Sequence, residues 1–393
     1  MSSLTWIDFD AAERDRAQRI MALFDERETR DELGLGGIRD SIADHLFPGT
    51  STIQTRLRYM LFIPWVLRKI EDRDARPDQL ANEARSLELK LSNALLEGGE
   101  TLGVIGRDAG ARLKRLPSAV YWAGLGNWGI RQFPGSIDSY FSSIRDFGRR
   151  RRRFRESEES VADSSVTYIW HPSLPMAPNN FLESTTFALS LEESEFLIDR
   201  LVGEQPNSLL AFLAKKKLNA DCDFIWEHPN YSDFPEASRS LVRYAEIFSG
   251  VMHGAALLYN LQLSELRKLE DWIEYYEGEL ERWSDQLDYS AVEVLKDELF
   301  WAEVKHPNHK VRPLAKEFVK DWAMVVSAGA REVASSMSAR ALIRSREEKL
   351  KLTQSRFTNR SVRDRWGGAS GADRLTFRWA QAKSHLQDLA NAS

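Results

Sequence analysis

A mainly α, multi-helical fold is predicted by three observations. Apolar residues recur at intervals of three and four along most of the chain, glycine and proline punctuate those runs, and strand-like alternation is confined to one short stretch. At 393 residues two or three subdomains are expected, with a small helix-turn-helix-like unit and at most a minor β element. The composition shifts place them at 1–155, at a loop-rich 156–235, and at 236–393 with its basic aromatic tail.

Leu4, Trp6, Ile7 and Phe9 form an apolar opening, and Ala17, Ile20, Met21 and Phe24 predict a helix that Gly34, Gly36 and Gly37 end. Ile38, Ile42 and Leu46 begin the next, stopped by Phe47-Pro48-Gly49. Thr50 and Ser51 are read as caps of a third, whose Tyr59, Phe62, Ile63, Val66 and Ile70 are crowded enough to be buried nearly all round. After Arg76-Pro77-Asp78, the spacing of Leu80, Ala84, Leu87, Leu91 and Leu95 marks a regular amphipathic helix.

The stretch from Arg115 to Arg155 combines backbone punctuation with charge. Leu116-Pro117-Ser118 reads as a helix entry, with Ser118 placed to accept a first-turn N–H. Gly126-Asn127-Trp128-Gly129 breaks that helix, and Pro134-Gly135-Ser136 starts another with Ile137, Phe141, Ile144 and Phe147 on one face. It runs into Arg149, Arg150, Arg151, Arg152 and Arg153, five cations that repel one another unless an anion or water lies opposite, with Glu156, Glu158 and Glu159 as partial neutralisers. A helix, turn and helix ending in arginines suits a duplex-binding module, although the turn is not the length of a standard helix-turn-helix.

Residues 156–165 are acidic and serine-rich, a linker or loop, and Val166, Tyr168 and Trp170 alternate like a short strand. Ser190-Leu191-Glu192-Glu193 spells a capping box, Pro206-Asn207-Ser208 starts a short helix, and Asp221 to Pro235 is a loop. Long helices are predicted from Ala237 to Gln286, a further one from Ser290 to Val304, and one or two more from Arg312 to Lys351.

The mild net charge of −5 means that affinity for a polyanion must come from local patches. A single cysteine, Cys222, excludes a disulfide framework and any multi-cysteine zinc site. The N-terminus does not spell a signal peptide, and the apolar run Tyr59 to Leu67 is too short to span a bilayer, so a cytoplasmic protein with no membrane partner is expected. A second basic region lies between Arg340 and Arg378, where eleven Lys or Arg face four acids. Its Arg356, Arg360, Arg363, Arg365, Arg374 and Arg378, interleaved with Phe357, Trp366, Phe377 and Trp379, suit phosphate contact with base stacking, and Trp366, Trp122 or Trp128 could stack or pack nearby. The structural alternative makes the aromatics core and the arginines a solvated face, pairing with the acidic Glu270 to Asp288 helix.

Catalytic signals are thin. Pro77-Asp78 with Glu88-Leu89-Lys90 has the order of a metal-dependent nuclease, but the leucine period puts Glu88 and Lys90 on a helix, about 200° apart. Arg39-Asp40 with His45 is similar to the Arg/His pair of HEPN-type ribonucleases, one residue too long. His306 and His309 flank Pro307-Asn308, a turn, and the other His-Pro pairs at His171 and His228 read the same way. Phosphate-loop and dinucleotide-binding patterns are lacking. No catalytic residue, metal or cofactor is assigned.

The segments SLTWIDF, RDELGLGGIRD, LFPGTSTIQTR, LKRLPSAVYWAGLGNWGI and WGGASGADRLTFRWAQA together resemble an uncharacterised bacterial family of the domain-of-unknown-function type, over nearly the whole chain. The resemblance implies genes near helicases and phospholipase-D-like nucleases in phage-defence clusters, and it carries no catalytic residues. The expectation is a nucleic-acid-binding accessory or assembly subunit of an anti-phage system, with DNA or RNA and a helicase or nuclease as partners. An adaptor that docks such an enzyme without touching nucleic acid, and a HEPN-like or metal-dependent nuclease, are the alternatives.

Overall fold

The computed structural model describes residues 31–156 and 169–393, with side chains for 31–147 and 169–393. The expected helix from Asp10 and the residues Val166 and Tyr168 lie outside the described residues. In chain order the helices are α1 (Gly36–Leu46), α2 (Tyr59–Arg68), α3 (Pro77–Glu97), α4 (Pro117–Asn127), α5 (Ile137–Glu156), α6 (Leu191–Glu204) and α7 (Leu209–Lys216). There follow α8 (Glu236–Arg267), α9 (Glu270–Gln286), α10 (Tyr289–Val292), α11 (Glu298–Glu303), α12 (Pro313–Gly329), α13 (Met337–Lys351), α14 (Arg360–Arg363) and α15 (Trp379–Ala390). Among the described residues the fold is mainly α, without a sheet, and its β element is a single antiparallel bridge between Arg131 and Trp170. The chain forms two compact units, one of residues 1–43 with 240–377 and the other of 44–239 with 378–393.

In the unit built on 44–239, α2 is buried on every side from Tyr59 to Leu67, as its apolar composition requires. It starts later than Thr50 and Ser51 suggest. The Thr50 hydroxyl donates to the Phe47 carbonyl at 2.6 Å and Gln54 Nε2 donates to the Gly49 carbonyl at 3.0 Å, which holds the approach in turns. α3 buries Leu80, Ala84, Leu91 and Leu95 together with Glu88. Glu88 explains how α4 begins: its carboxylate accepts the Ser118 N–H and the Ser118 hydroxyl, both at 2.7 Å. Ser118 is thus a donor to a carboxylate from another helix, where the sequence suggests a local cap acceptor. An acid at a helix N-terminus satisfies free N–H groups and meets the favourable end of the helix dipole. At Gly124 on α4 a Cβ would stand 2.5 Å from the Gly49 carbonyl oxygen, so a glycine is required for that approach. α6 carries the full capping box of Ser190 and Glu193, and Ser208 caps α7.

In the other unit, α8 is the central rod, and α9 packs so closely that a Cβ on Gly254 would fall 2.2 Å from the Trp283 ring. Trp283 in turn stacks on Trp322 of α12 at 6.4 Å. The helix expected from Ser290 to Val304 is broken because Asp297 Oδ1 takes the Leu299 N–H and starts α11 afresh. Between α13 and α14 lies a buried polar centre. Arg356 Nη1 donates to Glu32 Oε1 at 2.7 Å, to Tyr259 Oη at 2.9 Å and to Ser370 Oγ at 3.1 Å. Ser370 Oγ donates to the same Glu32 oxygen at 2.6 Å, and Lys351 Nζ lies 3.3 Å from the other. Burial works to raise the Glu32 carboxyl, yet Arg356, Ser370 and Lys351 together hold it below its ordinary range. Phe377 and Arg378, at φ 53° and 66°, are two successive non-glycine residues in the left-handed region.

Burial pushes the Glu88 carboxyl up to about 7, against the two bonds from Ser118 that favour its charge. A raised folded value means that this group's contribution is complete below about pH 4.5 and is lost as pH rises through 7. Relative to the wild type, Glu88→Gln is therefore expected to gain stability from pH 5 to pH 8 by an amount on the order of 3 kcal/mol. Denaturant unfolding at several pH values checks it, and a pH-independent difference between the two proteins would contradict it. Arg356→Met leaves buried Glu32 with Ser370 and with Lys351 as its one remaining cation, and is expected to cost about 3–5 kcal/mol, most of it recovered by adding Glu32→Gln. Denaturation midpoints of the single and double variants measure this.

Candidate nucleic-acid interface

Residues 111–155 hold eleven lysines and arginines against two acids, Asp138 and Asp146, the densest positive stretch of the chain. Its backbone frame is α4, the connection from Trp128 to Ser136, and α5. That connection is longer than the three or four residues of a helix-turn-helix, and it is fixed by the strand-like return of the chain. The Gln132 and Phe133 N–H groups reach the Ile169 carbonyl at 2.9 and 3.3 Å, and the His171 N–H reaches Ile130 at 2.8 Å. Of the short strand expected around Trp170, the described part is this one bridge.

The base of α5 is anchored on its predicted face. Tyr140, Phe141 and Ile144 are buried, and Phe147 meets Phe133 edge-on at 5.9 Å. Buried Glu71 gathers the Tyr140 hydroxyl at 3.1 Å and the Trp170 indole N–H at 2.5 Å on one oxygen. Arg145 pairs with Asp74 at 2.7 Å. Past Phe147 the helix continues through Arg149, Arg150, Arg151, Arg152 and Arg153 to Glu156. At ~1.5 Å per residue this carries its backbone about 13 Å beyond Phe147. The side chains of those arginines lie outside the described residues.

Further cations in the same unit stand open to solvent. Arg112, Lys114 and Arg115 precede α4, and among the described residues none has an ion-pair partner. Lys215, Lys216 and Lys217 close α7 in the same exposed, unpaired condition, Lys217 in the left-handed conformation at φ 53°. Sequence reasoning passed over these three lysines, although three in succession at a helix end are a legible signal.

The C-terminal basic region is largely turned inward. Arg356 is 9% exposed in the polar centre already described. Trp366 is 1% exposed and its indole N–H donates to Asn260 Oδ1 at 3.1 Å. Arg363 Nη1 binds the Arg356 and Phe357 carbonyls at 3.0 and 3.1 Å, and Arg374 is half-buried. Arg378 binds Asp44 and the Thr50 carbonyl. Arg360 and Arg365 are the exposed members, Arg360 lying 3.6 Å from Asp364. Phe357, Phe377 and Trp379 are core residues. Of the acids from Glu270 to Asp288, Asp285 of α9 pairs with Arg331 and Asp288, the cap of α10, pairs with Arg243.

The residues weighed for catalysis are placed as follows. Glu88 is buried against Ser118 while Lys90 is exposed, so the two do not share a site. Arg39 pairs with its neighbour Asp40 at 3.1 Å. The three His-Pro pairs make one repeated turn, in which the ring Nδ1 accepts the N–H two residues on: Ser173 for His171, Asn230 for His228 and Asn308 for His306, at 3.1–3.2 Å. Among the described residues no helix is long and apolar enough to cross a membrane.

A family model described as a family of unknown function, DUF6361, matches residues 1–393. No curated protein and no solved structure matches the chain. With that match covering all of the residues set out above, the chain belongs to the DUF6361 family.

Proposed function

We propose that this protein is a nucleic-acid-binding accessory or assembly subunit of a bacterial anti-phage system, working beside a helicase or nuclease that supplies the chemistry. One observation carries the reading: the run Arg149 to Arg153 continues α5, whose base is fixed through Tyr140 to Glu71, the same carboxylate that takes the Trp170 indole N–H. Like charges held that close on one helix are costly without an anion opposite, and phosphates supply it. Arg360 and Arg365 are secondary phosphate contacts in this reading, and the exposed lysines of α7 extend it. Arg356, Trp366 and Arg378 serve the interior instead.

The adaptor reading draws support from that inward use of the C-terminal cations. It differs in one respect, since a docked helicase or nuclease would then stay bound after the arginine run is neutralised.

Fluorescence anisotropy with labelled DNA and RNA over a range of salt tests the proposal. Affinity is expected to fall steeply with salt, and replacing Arg149–Arg153 by glutamine is expected to lower the logarithmic slope by about 4. Absence of binding at low salt, or a slope that ignores the five substitutions, would remove nucleic acid from the account and leave the adaptor.

A further inference from the structure

We propose that the C-terminal end of α7 and the cleft beside it are a docking site for an acidic segment of a partner protein, anchored by one aliphatic side chain. The site is separate from the arginine run and goes beyond the nucleic-acid reading, since its occupant is protein. Three helices of one unit meet there. Ala214 of α7 with Leu386 and Leu389 of α15 form a buried floor, and Ile198 of α6, Leu218 and Ala390 form a more open rim. Among the described residues Lys217 is the charged side chain that lines the cleft. The cleft holds about 220 Å³ and opens to solvent. Pockets for whole small ligands run to roughly 300–1,000 Å³, so this one suits a single apolar side chain.

The charge beside the cleft is one-sided. Residues 207–220 carry Lys215, Lys216 and Lys217 and no acid. All three lysines are exposed, and among the described residues none has an ion-pair partner. Asp221, the next acid along the chain, pairs with Lys383 at 3.0 Å. Cations in the last turn of a helix are favoured by its dipole, which accounts for Lys215 and Lys216. It does not account for Lys217. The helix ends there on a left-handed residue, the Lys217 and Leu218 N–H groups returning to the Ala214 and Leu213 carbonyls at 3.1 and 2.9 Å. Glycine is the residue this ending favours, because a Cβ is disfavoured at positive φ. A lysine at φ 53° holds its side chain beside the cleft against that preference.

An occupant that uses all of these features brings one apolar group together with several negative charges. A fatty acid offers a single carboxylate to three lysines. Phosphates of a nucleic acid satisfy the lysines but leave the apolar floor uncovered. An extended peptide with one leucine among glutamates and aspartates offers both, since its successive side chains point to opposite sides about 3.3 Å apart. The leucine removes apolar surface from water in the cleft, and its acidic neighbours pair with the lysines.

Fluorescence anisotropy of the full-length protein tests this with two labelled peptides, one carrying a leucine among glutamates and aspartates and one with alanine in its place. The leucine peptide is expected to bind at low salt, and the alanine peptide at least about fivefold more weakly. Lys217→Gly is expected to weaken the leucine peptide about threefold while the thermal midpoint holds or rises, because glycine suits the helix end. Ala390→Trp, at an exposed rim position, is expected to fill the cleft and abolish the difference between the peptides. Absence of peptide binding at low salt would overturn the proposal, and so would equal affinity of the two peptides for the wild type. Unchanged affinity in Lys217→Gly would do the same, as would decanoate binding more tightly than the leucine peptide, which would assign the cleft to a small amphiphile. DNA binding through Arg149–Arg153 is read separately and stands or falls without this result.

Discussion

The recurring interaction in this fold is a side-chain N–H placed on a backbone carbonyl of another segment, in some cases a loop and in others a helix. Each such bond satisfies a polar group and ties two segments together. Tryptophan does so repeatedly: Trp65 on Pro175, Trp128 on Pro48, Trp283 on Gly250, Trp301 on Leu295, Trp322 on Val251 and Trp379 on Cys222. Arginine does the same with more reach. Arg346 binds the carbonyls of Leu33, Gly34 and Leu314, and Arg58 binds Thr186 while pairing with Glu193 at 2.7 Å. An indole also brings a large apolar surface to the place where it donates, so one residue fills the core and closes a loop.

This use divides the arginines into two populations. Those whose guanidinium fits a carboxylate or carbonyl within the fold, such as Arg356 and Arg378, hold segments far apart in sequence together. Among the described residues Arg112, Arg115 and Arg365 stand open to solvent instead. Composition alone merges the two, because an arginine on an inward loop and one on an outward helix contribute the same charge. Depth within the fold separates them.

Much of the architecture was legible from spacing. The helices starting at Pro77, Pro117, Leu191 and Leu209 follow their proline and serine signals, two helices fill the stretch read from Arg312 to Lys351, and the face of α5 bearing Phe141 and Ile144 is the buried one. The His-Pro turns were equally readable. What escaped depends on non-local partners. Ser118 has the residue type of a cap, but its partner is Glu88, on a different helix. The break at Asp297 replaces a continuous apolar pattern because a side-chain cap competes with the helix. The aromatic residues between the C-terminal arginines fit a stacking platform and a core equally well, and only their burial tells these apart. Nothing in the local spelling of Arg356 reveals Glu32 as its partner, some three hundred residues upstream. For the candidate site, the sequence located the arginine run and the helix leading into it, whereas the exposed lysines 215–217 went unread.

Phe377 and Arg378 bear on how this family can vary over evolutionary time. Two adjacent left-handed residues form a sharp corner, after which α15 begins with Trp379. Glycine would relax either position but would remove a buried ring or the grip on Asp44 and Thr50. Substitution among relatives should therefore be resisted at both positions, where the backbone favours glycine and the contacts favour the side chains present.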